Sequence, residues 1–457
     1  MKPQRFQGML AACCLLASVA TASDGWSGSR TTPDSAYEPD TYAPDRRGYP
    51  TVESGDVVLA WVENAFETVR SQGVGTPAAG RLYAMTFAAM FDAVNGIDRQ
   101  RYRGFEHALV APRGAPRRAD KQAAAAVAAH TVLSGLVPAA LPALDAALEQ
   151  SLAGRRGRWR VEAGLGWGRH VGSRVLSIRA SDGTEAADEV VPASMNPGVF
   201  RTTFDRRYAD MTPFAIESDL PYRLTEPPPA LDSQEYTDSL NRVFSEGSAV
   251  DTDLERHDIA LQWETPGGTV RPTGSAIQAA VALVRSRQTH RRIVPTARLF
   301  ALIGMSVADT MIPVWQGKAQ FFTWRPGPAI QRADADGNPA TSFDPDFETR
   351  FGSTGGSPEY PSGQAAFSAA VARVLEIFYR DRHLSWCFSS DSNSSGRCYD
   401  SARHMGDEAG ESRIYQGVHF PFTIVASRPI GTGVATEVAR TSLKRRGRYR
   451  RQHGWRH

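Results

Sequence analysis

Apolar positions recur every three or four residues along most of the chain. In "DVVLAWVENAFETVR", Val58, Trp61, Val62, Ala65, Phe66 and Val69 share one face, the spacing of an amphipathic helix that begins near Asp56. Thr76-Pro77 reads as the next helix start, and its run closes at the Asn95-Gly96 stop. Helical patterns continue through "ADKQAAAAVAAHTVLSGL", "LPALDAALEQSLAG" and residues 160–180. They resume in "DLERHDIALQWE", "GSAIQAAVALVRSRQ" and "PTARLFALIGMSVADTMIPVW". Strand-like alternation is scarce. The pattern therefore predicts an all-α fold of helical bundles side by side. Residues 185–250 are Pro-rich and weakly periodic, which predicts a long surface excursion with one short helix from about Ser233 to Phe244.

The two ends add a location. Lys2 and Arg5 precede the apolar "GMLAACCLLASVATA", which closes on an A-x-A pattern at Ala20 to Ala22. Residues 1–22 thus read as a signal peptide and the rest as a secreted or periplasmic protein. Nothing downstream looks long and apolar enough to cross a bilayer. Residues 23–55 read as a disordered linker, 56–440 as the helical domain with its active-site part in 299–435, and 441–457 as a solvated basic tail with seven Lys or Arg and no acid. Beyond the signal only Cys387 and Cys398 remain, in "WCFSSDSNSSGRC". In an oxidising compartment they are expected to close a small loop as a disulfide.

Candidate chemistry gathers in three C-terminal segments. "KAQFFTWRP" places Lys318 and Arg325 seven residues apart, about two helical turns, with Pro326 ending the helix near Arg325. "EYPSGQAAFSAAVARVLEIF" puts Ser362, Gly363 and Gln364 at a helix entrance, where unpaired N–H groups and the helix dipole favour an anion. "ESRIYQGVHFPF" carries Arg413 and His419 around Gly417. Singly, each has a plain structural explanation: a solvated cation, a helix cap, a packed histidine. Their joint order and spacing form a pattern that the single readings do not explain.

That order, Lys-x6-Arg-Pro, Pro-Ser-Gly-x and Ser-Arg-x5-His, resembles the signature of the vanadium-dependent haloperoxidases and the related type 2 phosphatidic acid phosphatases. "RLYAMTFAAMFDAVNGI", "RLFALIGMSVADTMIPVW", "FFTWRP" and "EAGESRIYQGVHFPF" extend the resemblance to the soluble bacterial or plant-like branch, over about residues 56–435. The resemblance implies haloperoxidase-type bundles. It implies that Lys318, Arg325 and Arg413 neutralise vanadate, that Ser362 and Gly363 donate to its oxygens, and that His419 binds the metal. Vanadate would then activate hydrogen peroxide as a Lewis acid toward a halide, and the oxidised halogen would pass to a small organic substrate. No nucleic-acid partner is implied, and a homodimer stays open.

Two positions depart from that pattern. Gln364 stands where the family carries an acid–base histidine; an amide holds an oxygen but carries no proton near neutral pH. Thr423 stands four residues after His419, where an acid orients the ring. The resemblance thus implies weakened halide oxidation, with a soluble acid phosphatase holding phosphate, or a non-redox oxyanion-binding homologue, as alternatives. His404 is a candidate replacement base. Asp309 is a candidate salt-bridge partner for an active-site arginine.

Overall fold

The computed structural model describes residues 56–101, 106–110, 114–185 and 190–445. The expected signal peptide, the linker and all of the basic tail beyond residue 445 lie outside them. In chain order the helices are α1 (Asp56–Gln72), α2 (Thr76–Arg101), α3 (Lys121–Leu136), α4 (Leu141–Leu152), α5 (Arg158–Ile178), α6 (Gln234–Glu246) and α7 (Leu254–Gln262). They continue with α8 (Arg271–Ser286), α9 (Ile293–Phe321), α10 (Pro326–Ile330), α11 (Gly363–Tyr379), α12 (Ala402–Tyr415) and α13 (Pro421–Thr441). The described residues also form two small antiparallel pairs: β1 (Val190–Val191) with β2 (Phe204–Asp205), and β3 (Trp386–Phe388) with β4 (Arg397–Tyr399). The fold is all-α, as the periodicity predicts.

Three pairings build the body: α2 on α9, α3 on α5, and α11 on α13, with α9 also touching α11 and α13. The buried stripe of α1 contains every residue that its spacing predicts. The Asn95-Gly96 stop is overridden. Asn95 is fully buried, and α2 runs on to Arg101 because its packing against α9 outweighs the local preference of Asn and Gly to end a helix.

Helix α9 corrects another expectation: at 29 residues it is long and apolar enough to span a bilayer by length and composition. Yet 94% of its most apolar window is buried inside the fold, where small residues such as Gly304 let α2 approach closely. Its apolar character is that of a core helix wrapped on all sides.

The Pro-rich stretch is less superficial than its composition suggests. Phe200, Phe204, Met211, Phe214 and Ile216 are buried against the bundle. Asp309, on α9, accepts the backbone N–H groups of Phe214, Ala215 and Ile216 at 2.6, 2.8 and 3.0 Å. The carboxylate expected to pair with an active-site arginine is therefore a fastener for this segment. Burial pushes it up to about 6, against the pull of those three N–H groups.

Candidate functional site

The helix bearing Lys318 stops earlier than Pro326 suggests. Phe322 takes a left-handed conformation and caps α9, and Pro326 instead opens the short α10, with Arg325 as its N-cap. Lys318 therefore lies in the last turn of α9, and Arg325 reaches the same place from a separate loop. Both are buried. The next segment to arrive is Ser357-Pro358-Glu359, and each of its residues holds one member of the site. The Ser357 carbonyl accepts Arg325 Nε at 2.7 Å. The Pro358 carbonyl accepts the Lys318 ammonium. Glu359 holds His419.

Glu359 is fully buried. Its Oε1 lies 2.9 Å from His419 Nδ1 and accepts the Phe420 N–H at 3.0 Å. Its Oε2 accepts the Thr423 hydroxyl at 2.7 Å. On the other side of the ring, Arg325 Nη1 sits 3.0 Å from His419 Nε2 and also donates to the Val418 carbonyl at 2.7 Å. A guanidinium only donates, so Nε2 must be an acceptor and Nδ1 must carry the ring proton. Burial, then the charges of Arg325, Lys318 and Arg413, hold His419 well below its ordinary value, so the imidazole is neutral. Burial also pushes Glu359 up to about 7, while its two donors and the nearby cations pull the other way.

Ser362 caps α11. Its Oγ accepts the Ala365 N–H at 3.5 Å and its own N–H goes to Ser427 Oγ at 2.8 Å, which leaves the hydroxyl proton available. Gly363 and Gln364 follow as the first residues of the helix, where backbone N–H groups have no intrahelical acceptor. Gln364 is buried and donates Nε2–H to the Trp263 carbonyl at 2.8 Å. Its Oε1 finds no partner. Arg413, at the end of α12, donates to Gln416 Oε1 at 2.6 Å and approaches the Trp263 carbonyl at 3.5 Å, while its own carbonyl accepts the His419 N–H at 3.2 Å. Its Nε is buried without a partner. Among these site residues, Gly363 and Arg413 retain appreciable solvent contact.

Lys318, Arg325, Ser362, Gly363, Gln364, Arg413 and His419 are thus brought together by one network. Gly355 helps to seat it: a Cβ there would stand 2.8 Å from the Arg325 guanidinium carbon, and its φ of +84° already favours glycine. The electrostatics are unbalanced. Burial, followed by Arg325 and with a smaller push from Arg413, drives Lys318 well below its usual value, although Glu359 opposes it. Burial likewise lowers Arg325 to about 10 and, helped by Arg325, Arg413 to about 9. Three cations face one fully buried carboxylate, and an orphaned Nε adds a donor without an acceptor. A small oxyanion satisfies both deficits, so the residues present fit the vanadate or phosphate that the motifs imply.

His404 is not part of this network. It is half exposed on α12, paired with Asp400 at 3.1 Å and packed edge-on against Tyr399. Glu359 is the functional residue that motif reading missed. Its signal lay in the quoted "EYPSGQ", three residues ahead of Ser362, in a place where no helical period marks it as buried.

Comparisons with known proteins bear on the fold and on its C-terminal bundle. Residues 298–446 match the family model of the VCPO second helical-bundle domain. The vanadium chloroperoxidase of Curvularia inaequalis is 29% identical over 182 residues, a match that spans 29% of this chain and 29% of that protein's length. Among solved structures, one described as the first bacterial vanadium-dependent iodoperoxidase superposes with a TM-score of 0.73 at 18% identity, covering 88% of this chain and all of that one. A holo-type bacterial vanadium-dependent chloroperoxidase gives 0.66 at 14% identity, covering 86% and 98%. The family model thus identifies the C-terminal bundle, and along most of its length the chain is similar to the bacterial vanadium haloperoxidases in fold.

Proposed function

We propose that this chain is an exported, vanadate-holding haloperoxidase in which proton transfer is weakened. The observation that carries the reading is the convergence of Lys318, Arg325 and Arg413 on His419, with Arg413 Nε left unsatisfied. In that role the three cations would hold the anion's negative oxygens, the Ser362 hydroxyl and Gly363 N–H would donate to it, and His419 would offer the Nε2 lone pair to the metal. When bound, vanadate supplies Lewis-acid activation of hydrogen peroxide toward halide. Gln364 orients but carries no proton, which is why proton transfer is the weakened step in this reading. Export through residues 1–22 rests on the sequence pattern, and the final acceptor is a small organic molecule.

A second reading has its own observation. A histidine whose Nδ1–H is held by a buried carboxylate is also how a nucleophilic imidazole is prepared, so Glu359 removes one objection to a phosphate-ester hydrolase. Calorimetry with orthovanadate, bromide-dependent dye halogenation with peroxide, and p-nitrophenyl phosphate turnover separate the readings. Vanadate binding with slow halogenation supports the first. Ester turnover without halogenation favours the second, and vanadate binding with neither activity points to an oxyanion-binding homologue. Lys318→Ala and Arg413→Ala should each weaken vanadate binding severely, and binding unchanged in both would mean that the pocket lies elsewhere.

A further inference from the structure

We infer that Glu359 is the positioning residue of His419 and that Thr423 is the donor that locks Glu359 in place. The inference rests on the reading of His419 as the vanadate ligand. It deepens that reading by naming the group that aims the ring.

The geometry has three independent parts. First, every hydrogen bond recorded for the Glu359 side chain ends on the His419 turn: the ring Nδ1, the next residue's N–H, and the hydroxyl one helical turn later. No arginine or lysine pairs with it directly, so it is not simply half of a buried ion pair. Second, its backbone is fixed from a different direction. The Glu359 N–H donates to the Thr323 carbonyl at 2.9 Å, two residues before Arg325, so the carboxylate is tied to the loop that presents the guanidinium to the opposite face of the ring. Third, Thr423 is itself immobilised: its carbonyl accepts the Ser427 hydroxyl at 2.6 Å, and Ser427 accepts the Ser362 N–H. The ring is therefore gripped at Nδ1 by Glu359, and its one lone pair, on Nε2, accepts from Arg325, whose N–H would have to give way for that nitrogen to ligate a metal. A carboxylate placed behind a ligating imidazole fixes both tautomer and orientation, and losing such a partner typically weakens metal affinity about 10- to 100-fold.

Thr423, in the first turn of α13, lies with its Oγ1 2.7 Å from Glu359 Oε2, so position 423 borders the carboxylate that this chain supplies from the segment ahead of Ser362.

The test uses the whole protein with ring-15N-labelled histidine, first without vanadate and then titrated with orthovanadate. In the parent, the His419 resonances should show an Nδ1–H tautomer with a strongly downfield Nδ1 proton. Arg325 still favours that tautomer in Glu359→Ala, so the readout is the Nδ1 proton, which should move upfield, together with orthovanadate binding weakened about 10- to 100-fold. Adding Thr423→Asp to Glu359→Ala should return the proton downfield and restore most of the affinity, which a space-filling role for Glu359 does not predict. Should Glu359→Ala fail to fold, Glu359→Gln keeps the shape and removes the charge, and its Nδ1 proton should move upfield while the tautomer persists. An unmoved Nδ1 proton and unchanged affinity in Glu359→Ala, or an unmoved proton in Glu359→Gln, would overturn the inference. If the parent binds no orthovanadate, the functional reading fails, and the Nδ1 proton shift still decides the role of Glu359.

Discussion

The side-chain amide of Gln364 and the guanidinium of Arg413 meet at one acceptor, the backbone carbonyl of Trp263, at 2.8 and 3.5 Å. Trp263 is fully buried at the end of α7, against Phe388 and Tyr399 of the β3–β4 hairpin, with its indole N–H on Glu408 at 3.0 Å. A residue distant in sequence from all three motifs thus fixes two of the site's side chains. With Nε2 committed to Trp263, Gln364 turns an acceptor, Oε1, toward whatever shares its surroundings.

Replacing that amide should report on proton transfer. Gln364→His restores a group that titrates near neutral pH, and a positioned acid–base contributes about 10² to 10⁴ in rate. We expect bromide-dependent halogenation to rise within that range while orthovanadate affinity changes little. Steady-state rates with dye, peroxide and bromide, set beside calorimetric affinities, check this. A variant that binds vanadate as before and stays as slow as the parent would show that proton transfer is not what limits this site.

Lys318 makes anion binding depend on pH with a definite sign. In the anion-free protein its pKa lies well below the ordinary lysine range, through burial first and the charge of Arg325 second. A bound anion stabilises the ammonium and raises that pKa. Between the two values binding must take up a proton, so affinity falls as pH rises through that interval, by at most about tenfold per pH unit. Below the lower value Lys318 contributes no slope. Calorimetry with inorganic phosphate in buffers of different ionisation enthalpy should show proton uptake by the parent that is absent in Lys318→Arg, whose guanidinium stays charged. Equal uptake in both proteins would assign the proton elsewhere.

In the hairpin beneath Trp263, Cys387 and Cys398 face each other across the β3–β4 pair, in position for the expected disulfide. A disulfide closing a loop of this size contributes about 3 kcal/mol. Cys387→Ser with Cys398→Ser should lower the urea midpoint accordingly. It should also weaken orthovanadate binding, because the loosened hairpin no longer supports the Trp263 carbonyl. Thiol titration of the denatured, unreduced parent checks the pairing, and two reactive thiols there would contradict it.

How much of this was legible in the chain varies from residue to residue. The stripe of α1 follows from spacing, because helical period is local. The grouping of Lys318, Arg325, Ser362 and His419 came from the motif resemblance. A shared helical face is not how Lys318 and Arg325 meet, since α9 ends at Phe321 and Arg325 arrives from a loop. Glu359 and Trp263 were not legible: each acts through a loop or a backbone carbonyl, and no periodicity marks which carbonyl a distant guanidinium will find. Asp309 looked like a charge for an arginine because acids usually pair with bases. Its three N–H donors come from a Pro-rich segment more than ninety residues earlier. Asn95-Gly96 failed as a stop for the opposite reason, since tertiary packing prevailed over a local signal that was read correctly.

Helix α13 can lie on α11 only because residue 431 has no side chain. A Cβ at Gly431 would sit 1.9 Å from the Ala366 carbonyl oxygen and 2.8 Å from its carbon, both backbone atoms that no rotamer change can move aside. The two helices would have to separate, and with them the Ser362–Ser427 and Glu359–Thr423 bonds that join the α11 entrance to α13. Overpacking of this kind costs about 1 to 3 kcal/mol when the structure can relax, and here relaxation is opposed along the whole helix pair. Gly431→Ala should therefore lower stability by at least that much and weaken orthovanadate binding, although residue 431 touches no site residue. Gly166 on α5 is the control: a Cβ there meets nothing within 4 Å, so Gly166→Ala should gain about 1 kcal/mol from helix propensity and leave binding unchanged. Denaturant titrations and calorimetry on both variants check the pair, and a Gly431→Ala protein with parental stability and affinity would show that the α11–α13 contact does not set the geometry of the site.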